Sequence, residues 1–198
     1  MKPVKRQKIL AAAEKLFERF GPGKTGVDEI AVTAGVAKGT LYNYFGSKEG
    51  IIRELVSDKI DLFERALKGT LDDINDPLEK LKSAALERYR FLRRTPYIAA
   101  IILNEESDVV SRELVRFFED RQRGIVARIM DEARRRGRIR RSDSASVTDG
   151  VIYLLKGLEF SLKNRLDTAR FEDVEAEISR LITFFFSGAG KAAGKREL

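Results

Sequence analysis

The chain has 198 residues, with 38 Lys and Arg against 31 Asp and Glu, a formal net charge of +7, and neither Cys nor His. Apolar residues make up 43%, enough to bury a core and too many for a disordered chain. The two absences exclude disulfides, thiol nucleophiles, Cys/His zinc sites and every acid–base scheme that needs an imidazole, while the basic balance favours an anionic partner.

The elements read as helices almost throughout. Ile9, Leu10, Ala13, Leu16, Phe17 and Phe20 form one apolar stripe, stopped by Gly21-Pro22-Gly23. Two short helices follow. Val27, Ile30, Ala31 and Ala34 make one face; Gly35 interrupts; Val36, Leu41, Tyr42 and Phe45 resume. Ser47 is the expected cap of a longer helix that carries Ile51, Leu55, Val56, Ile60, Phe63 and Leu67 and meets Gly69. Asp76-Pro77-Leu78-Glu79 is a strong helix start, and that helix should run to about Arg94. A further stretch begins at Tyr97 and breaks near Ser107-Asp108. A long helix opens at Ser111 and ends near Gly137. The last two span about 144–165 and 171–187. The tail, residues 188–198, is expected to be flexible. The fold class is all-α, with about nine helices.

The longest apolar run, Tyr97 to Leu103, is seven residues, against the roughly 20 that a membrane span needs. The basic N-terminus leads into no uninterrupted apolar core, so it is not a signal peptide. These features point to the cytoplasm and away from a membrane.

The spacing Ala31, Gly35, Leu41 suits a helix-turn-helix. The first helix needs a small residue where the second crosses it. The turn needs a left-handed residue, and the second helix needs an aliphatic plug. An ordinary helical hairpin has the same spacing, so charge must help decide. Residues 1–50 hold nine Lys/Arg and five Asp/Glu, so over half of the net charge sits in a quarter of the chain, where phosphate contacts would draw on it. On the second short helix, Lys38 can reach a phosphate or a guanine edge, and Thr40 a base. Gly39 lets backbone approach phosphate. Asn43 can pair with adenine, and Tyr42 and Tyr44 can donate to phosphate oxygens. Lys48 can add a charge-assisted phosphate contact. Singly, each has an ordinary reading as a packed ring or solvated charge; together on one short helix after a matching turn, they read as a DNA-contacting surface.

These residues also carry a family resemblance. The stretch Ile9-Leu10-Ala11-Ala12-Ala13-Glu14-Lys15-Leu16-Phe17, then Gly21, Thr25, Ile30-Ala31, Ala34 through Phe45, and Ser47-Lys48-Glu49 resembles the N-terminal signature of the TetR (tetracycline-repressor-like) family, over roughly residues 5–52. The rest of the chain resembles the family only in helix count and length. The resemblance implies a dimeric transcriptional regulator, most often a repressor, with Thr25, Lys38, Gly39, Thr40, Tyr42, Asn43, Tyr44 and Lys48 at DNA-contact positions. The family commonly has Ser or Thr where this chain has Gly26, which lacks the hydroxyl for one phosphate contact.

The implied organisation is a DNA-binding domain over 1–46, with the helix-turn-helix at about 26–45, and an effector-binding and dimerisation domain over 47–187. The partners are double-stranded DNA as a palindromic operator, a small hydrophobic or amphipathic effector, and a second copy of the chain. No cofactor or metal is called for. In the family the last two helices form a four-helix bundle with those of the partner. Gly150 and Gly157 would allow close helix approach there, and Phe184, Phe185 and Phe186 are more aromatic surface than one helix can bury in its own core. Phe63, Tyr89, Asn104, Phe118, Gln122 and Tyr153 are candidates to line an effector pocket, against the plainer reading that they are packing and rim residues. The run Arg134 to Arg141, six Arg in eight positions, reads as a solvated helix end complementing the macrodipole. Two other functions compete: a structural DNA-binding factor of the same fold, and an all-α enzyme built on Glu105, Glu106 or Lys156, which no constellation supports.

Overall fold

The computed structural model describes residues 2–103, 109–139, 144–166 and 168–191. Among them stand nine α-helices and one 3-10 turn, with no strand. In order these are α1 (Lys2–Phe20), α2 (Val27–Ala34), α3 (Lys38–Phe45), α4 (Lys48–Asp72), α5 (Pro77–Arg94), α6 (Pro96–Leu103), α7 (Val109–Arg135), α8 (Ser144–Leu162), the 3-10 turn Lys163–Arg165, and α9 (Phe171–Lys191). No described helix is long and apolar enough to cross a membrane.

Most boundaries follow local chemistry. The Ser47 hydroxyl accepts from the Gly50 N–H at 3.2 Å, the N-cap bond that the sequence implies. Asp76 accepts from the Glu79 N–H at 3.4 Å, with Pro77 in the first helical position. Several boundaries differ from the reading above: α7 begins at Val109, before Ser111, and α8 ends at Leu162, ahead of the 3-10 turn. α6 begins at Pro96, because a proline at the first turn gives up only an N–H that has no helical partner there. α4 runs through Gly69 to Asp72, since one glycine lowers helix propensity without ending a helix whose apolar face continues. α9 runs on to Lys191, past the expected stop at Ser187.

The chain divides into two compact units, residues 1–63 with 95–116 and residues 64–94 with 117–198. In the first, α1 packs on α2 and α6. Ile9, Ala13 and Phe17 of α1, Ile30 and Ala31 of α2, Leu41 of α3, and Ile51 and Leu55 of α4 are buried together with Tyr97 and Ile98 of α6. The Phe17 and Tyr97 rings stand 6.2 Å apart. The Tyr97 hydroxyl is buried without a hydrogen-bond partner, and burial raises its pKa, helped by the Glu14 and Glu18 charges. Arg6 pairs with Glu54, Lys59 with Glu14, and Arg53 with Glu113 through two bonds of 3.1 and 2.9 Å.

In the second unit α5 packs against α9. Leu81 and Leu92, Phe118, Val126 and Met130, Val151, Leu155 and Leu162, and Val174, Ile178 and Ile182 supply its core. The apolar face of α9 is therefore the i, i+4, i+8 row ending at Ile182, and Leu181 lies outside it. Lys80 pairs with Glu132 at 2.7 Å, and Lys156 with Glu119 at 2.7 Å. Arg136 donates to the Asn75 carbonyl at 2.6 Å and pairs with Glu132 at 2.7 Å; Arg138 pairs with Asp76 at 3.3 Å. That part of the arginine run thus holds the chain entering α5; Arg140 and Arg141 lie outside the described residues.

Candidate nucleic-acid interface

The helix-turn-helix is built as the spacing requires. Ile30, Ala31 and Ala34 are buried on α2, and Leu41 is fully buried on α3. Gly35 sits at φ 65°, ψ 38°, the left-handed conformation that β-carbon-bearing residues resist. Its N–H bonds the Val32 carbonyl at 3.1 Å, and the Val36 N–H bonds that of Ala31 at 3.0 Å, so the turn satisfies the end of α2. Gly26 caps α2 without a side chain, and Glu29 reaches back to its N–H at 2.7 Å.

With Leu41 as its inward anchor, α3 turns one face to solvent. Lys38, Gly39, Tyr42 and Asn43 are exposed; Thr40 and Tyr44 are half-buried. The Tyr44 and Phe45 rings lie 6.2 Å apart. Lys38 Nζ lies 2.8 Å from Oδ1 and 3.0 Å from Oδ2 of Asp28, across from α3 on the first turn of α2. The carboxylate accepting that hydrogen bond holds the Lys38 pKa above its ordinary value.

Two expected contact residues have structural partners. Thr25 is only 2% exposed, and its hydroxyl donates to the Gly21 carbonyl at 2.9 Å. The whole residue is thus packed inside the turn, with no exposed atom from which a contact to DNA could start. Lys48 is half-buried, and its ammonium donates to the carbonyls of Pro22 at 3.1 Å and Thr25 at 3.3 Å. It clips the α1–α2 turn to the start of α4.

Two residues of this region were not singled out from sequence. Asp28 was one, because an acidic residue in the first turn of a helix has an ordinary explanation in the macrodipole. Gly50 was the other: a β-carbon there would stand 1.9 Å from the Phe45 carbonyl oxygen. The end of α3 thus meets the first turn of α4 through a contact that only glycine permits.

The remaining candidates fall as follows. Phe63 is buried in the first unit. Asn104 lies outside the described residues. In the second unit Phe118 is fully buried, Tyr89 is buried with its hydroxyl 3.5 Å from the Leu166 carbonyl, and Gln122 is 6% exposed. Tyr153 is 72% exposed and cannot line an interior, because its place in the helical register turns it outward. It shares an exposed face of α8 with Gly157 and Phe160, at i, i+4 and i+7. Phe184 of α9 is 78% exposed. Gly150 and Phe185 instead meet each other: a β-carbon on Gly150 would come 2.9 Å from the Phe185 ring, so this glycine seats that ring within its own chain.

Arg88, a residue that nothing in the sequence singles out, is buried on α5. Its guanidinium forks onto Glu159 of α8 through Nε and through Nη2, the latter at 2.8 Å, and lies 4.2 Å from the Phe118 ring centre. Burial pushes its pKa down to about 9, with the Glu119 charge pulling the other way.

Residues 9–55 match the family model described as bacterial regulatory proteins, tetR family. An uncharacterized HTH-type transcriptional regulator of Mycobacterium tuberculosis is 34% identical over 93 residues, 47% of this chain and 46% of its own. The HTH-type transcriptional repressor KstR2 of the same species is 27% identical over 119 residues, 60% of each chain. The chain thus spans about half the length of the sequence relatives it matches. The transcriptional regulator FadR of Bacillus subtilis, solved in complex with stearoyl-CoA, shares the fold at a TM-score of 0.75 and 21% identity, over 92% of this chain and 98% of its own. The fatty acid degradation regulator FadR of Bacillus halodurans does so at 0.75 and 20%, over 93% and 95%.

Proposed function

This chain belongs to the TetR family of bacterial regulatory proteins through its N-terminal module, and from that premise we infer that it is a homodimeric transcriptional repressor, released from a palindromic operator by a small-molecule effector. The observation that carries the reading is the α3 face. Lys38, Gly39, Tyr42 and Asn43 are exposed together on a short helix anchored by Leu41 and fixed by the Gly35 turn. Such a helix enters the major groove, with Asn43 and Thr40 toward base edges, and with Lys38, Tyr42, Tyr44 and the backbone at Gly39 toward phosphates. Thr25 and Lys48 contribute through the turn that they hold.

Residues 1–46 then read DNA, and the helices beyond respond and dimerise. The second copy covers the exposed rings of α8 and α9, Tyr153, Phe160 and Phe184, three large aromatics turned to solvent in the single chain. A two-fold dimer reads two half-sites one helical turn apart, about 34–36 Å, or a multiple of it. The apolar interior of the second unit suits a hydrophobic or amphipathic effector, and the fold is shared with a regulator solved with stearoyl-CoA bound. Release requires that the effector bind more tightly to a state whose recognition helices do not fit the operator. The setting is the cytoplasm.

Genome-wide mapping of DNA bound by the purified protein tests the reading. A few palindromic sites are expected. Hundreds of scattered sites would replace the repressor with a structural DNA-binding factor, and no specific site would remove both.

A further inference from the structure

Among the described residues of the second unit, the buried polar side chains are Arg88, Gln122 and Thr148, and the first two lie along one strip. Arg88 of α5 and Glu159 of α8 form a buried ion pair against Phe118. One turn along α7 from Phe118, Gln122 is buried at 6% exposure, and its amide Nε2 has no hydrogen-bond partner. α5 and α7 run antiparallel here, since Lys80 pairs with Glu132 and Arg88 meets Phe118. The α5 residues one turn before Arg88, Ala84 and Ala85, are small and buried.

Neither feature helps the fold. A buried ion pair is commonly no more stable than well-packed apolar residues of the same volume, and burial working against the Arg88 charge agrees with that. A buried amide donor without an acceptor carries its full desolvation cost. A leucine at 122 would remove that cost. A donor left unmet beside a costly buried ion pair is explained if a ligand supplies the missing acceptor.

We propose that this strip, with Gln122 as donor and the Arg88–Glu159 pair beside it, receives the effector, and that the effector is an apolar molecule bearing an uncharged carbonyl group. This rests on the effector-release reading and adds the chemistry of the ligand. The class follows from charge and donor count. Nε2 donates, so it calls for an acceptor, and an ammonium would meet donor against donor. Arg88 is already balanced by Glu159, and nearby Glu119 by Lys156, so a buried carboxylate would bring an uncompensated negative charge. A carbonyl of an ester, thioester, amide or ketone supplies the lone pairs without the charge.

The test holds the apolar part constant and changes the head. Methyl decanoate, decanoate and decylamine are titrated into the full-length protein by calorimetry, with operator release followed by fluorescence anisotropy. The ester is expected to bind at least tenfold more tightly than either charged probe. Gln122→Leu and Gln122→Met are each expected to weaken the ester at least tenfold, with unchanged ligand-free operator affinity and an undiminished melting temperature. Equal binding of the three heads, ester binding indifferent to Gln122, or no binding by any probe overturns the proposal. If compounds release the operator irrespective of Gln122, the release reading stands and this one falls. If the ester binds through Gln122 and the operator stays bound, this one stands and release falls.

Discussion

Lys38 and Asp28 are joined across the helix-turn-helix, with the ammonium 2.8 Å from the carboxylate. The pair ties the first residue of α3 to the first turn of α2 and neutralises the one cation on the exposed α3 face. Both side chains are well exposed, so the pair adds little to stability, but it competes with phosphate for Lys38. Asp28→Asn is therefore expected to strengthen binding to operator and scrambled duplex alike, and to steepen the log–log salt dependence by about 0.9, one phosphate contact. The specificity ratio should fall. Anisotropy titrations across a salt series read all three. Lys38→Ala should abolish the effect of the Asp28 change; an Asp28→Asn gain that persists in the double variant would show that the two residues act separately.

Gly50 sits where α4 passes the end of α3, with the Phe45 carbonyl 1.9 Å from the place of a β-carbon. Because the neighbour is backbone, relief requires a shift of α3 itself. Gly50→Ala, which would raise helix propensity by about 1 kcal/mol in an open site, is expected here to destabilise by about 2 kcal/mol or more. For a chain of this length that lowers the melting temperature by roughly 4–8 °C. Operator affinity should drop with it. A melting temperature at or above wild type would mean that α3 yields at no cost.

What could be read without the structure and what could not divides along a physical line. Ala31, Gly35 and Leu41 were legible because each satisfies a local demand: a crossing, a left-handed turn, a plug. Ser47 and Asp76 were legible as caps for the same reason. Gly50 was not, because its constraint comes from a carbonyl five residues back whose direction only the folded turn sets. Thr25 and Lys48 match DNA-contact positions by type, but a hydroxyl or an ammonium bonds a carbonyl as readily as a phosphate, and composition does not say which lies nearer. On α8, the same helical face was available to a pocket or to a partner, and only the exposure of Tyr153 and Phe160 distinguishes them. Arg88 gave no signal, since an arginine on an amphipathic helix is by default solvated.

Lys48 donates to the carbonyls of Pro22 and Thr25, closing the α1–α2 turn over the start of α4. Lys48→Met keeps much of the aliphatic stem and removes the donors. Amide exchange in residues 21–26 should then accelerate, and operator affinity should fall with little change in salt slope. A slope shallower by about 0.9 with unaltered exchange would instead make Lys48 a direct phosphate contact.

Lys80 and Glu132 join α5 to α7 at 2.7 Å, both side chains 18% exposed. The hydrogen bond from Lys80 holds the Glu132 carboxyl below its usual pKa, with burial opposing. A carboxylate depressed in the fold contributes stability above its unfolded pKa, about 4.3, and loses it as pH falls through the lower folded value. Glu132→Gln is therefore expected to melt lower than wild type at neutral pH, by about 2–4 °C for a pair worth about 1 kcal/mol. The two curves should converge as pH drops below about 4. A constant gap over pH 7 to 3 would assign the loss to packing and not to charge.

The exposed rings of α8 and α9 set the last expectation. Phe160 of α8 is 70% and Phe184 of α9 78% exposed, and Tyr153 shares the outer face of α8 with Phe160. If a second copy covers this face, replacing one ring by a carboxylate puts a charge into a contact that appears twice, once from each protomer. Phe184→Asp should therefore shift sedimentation from dimer to monomer at micromolar concentration, with helicity and melting of the single chain retained. Operator affinity should fall by at least a hundredfold, because each protomer alone holds only one half-site. Gly150→Ala is a contrasting change on the same helix, since it strikes Phe185 within its own chain: it should lower the melting temperature without a direct electrostatic penalty at the interface. A Phe184→Asp protein that sediments as a dimer and binds the operator as wild type does would place the dimer contact elsewhere and leave these rings without a partner.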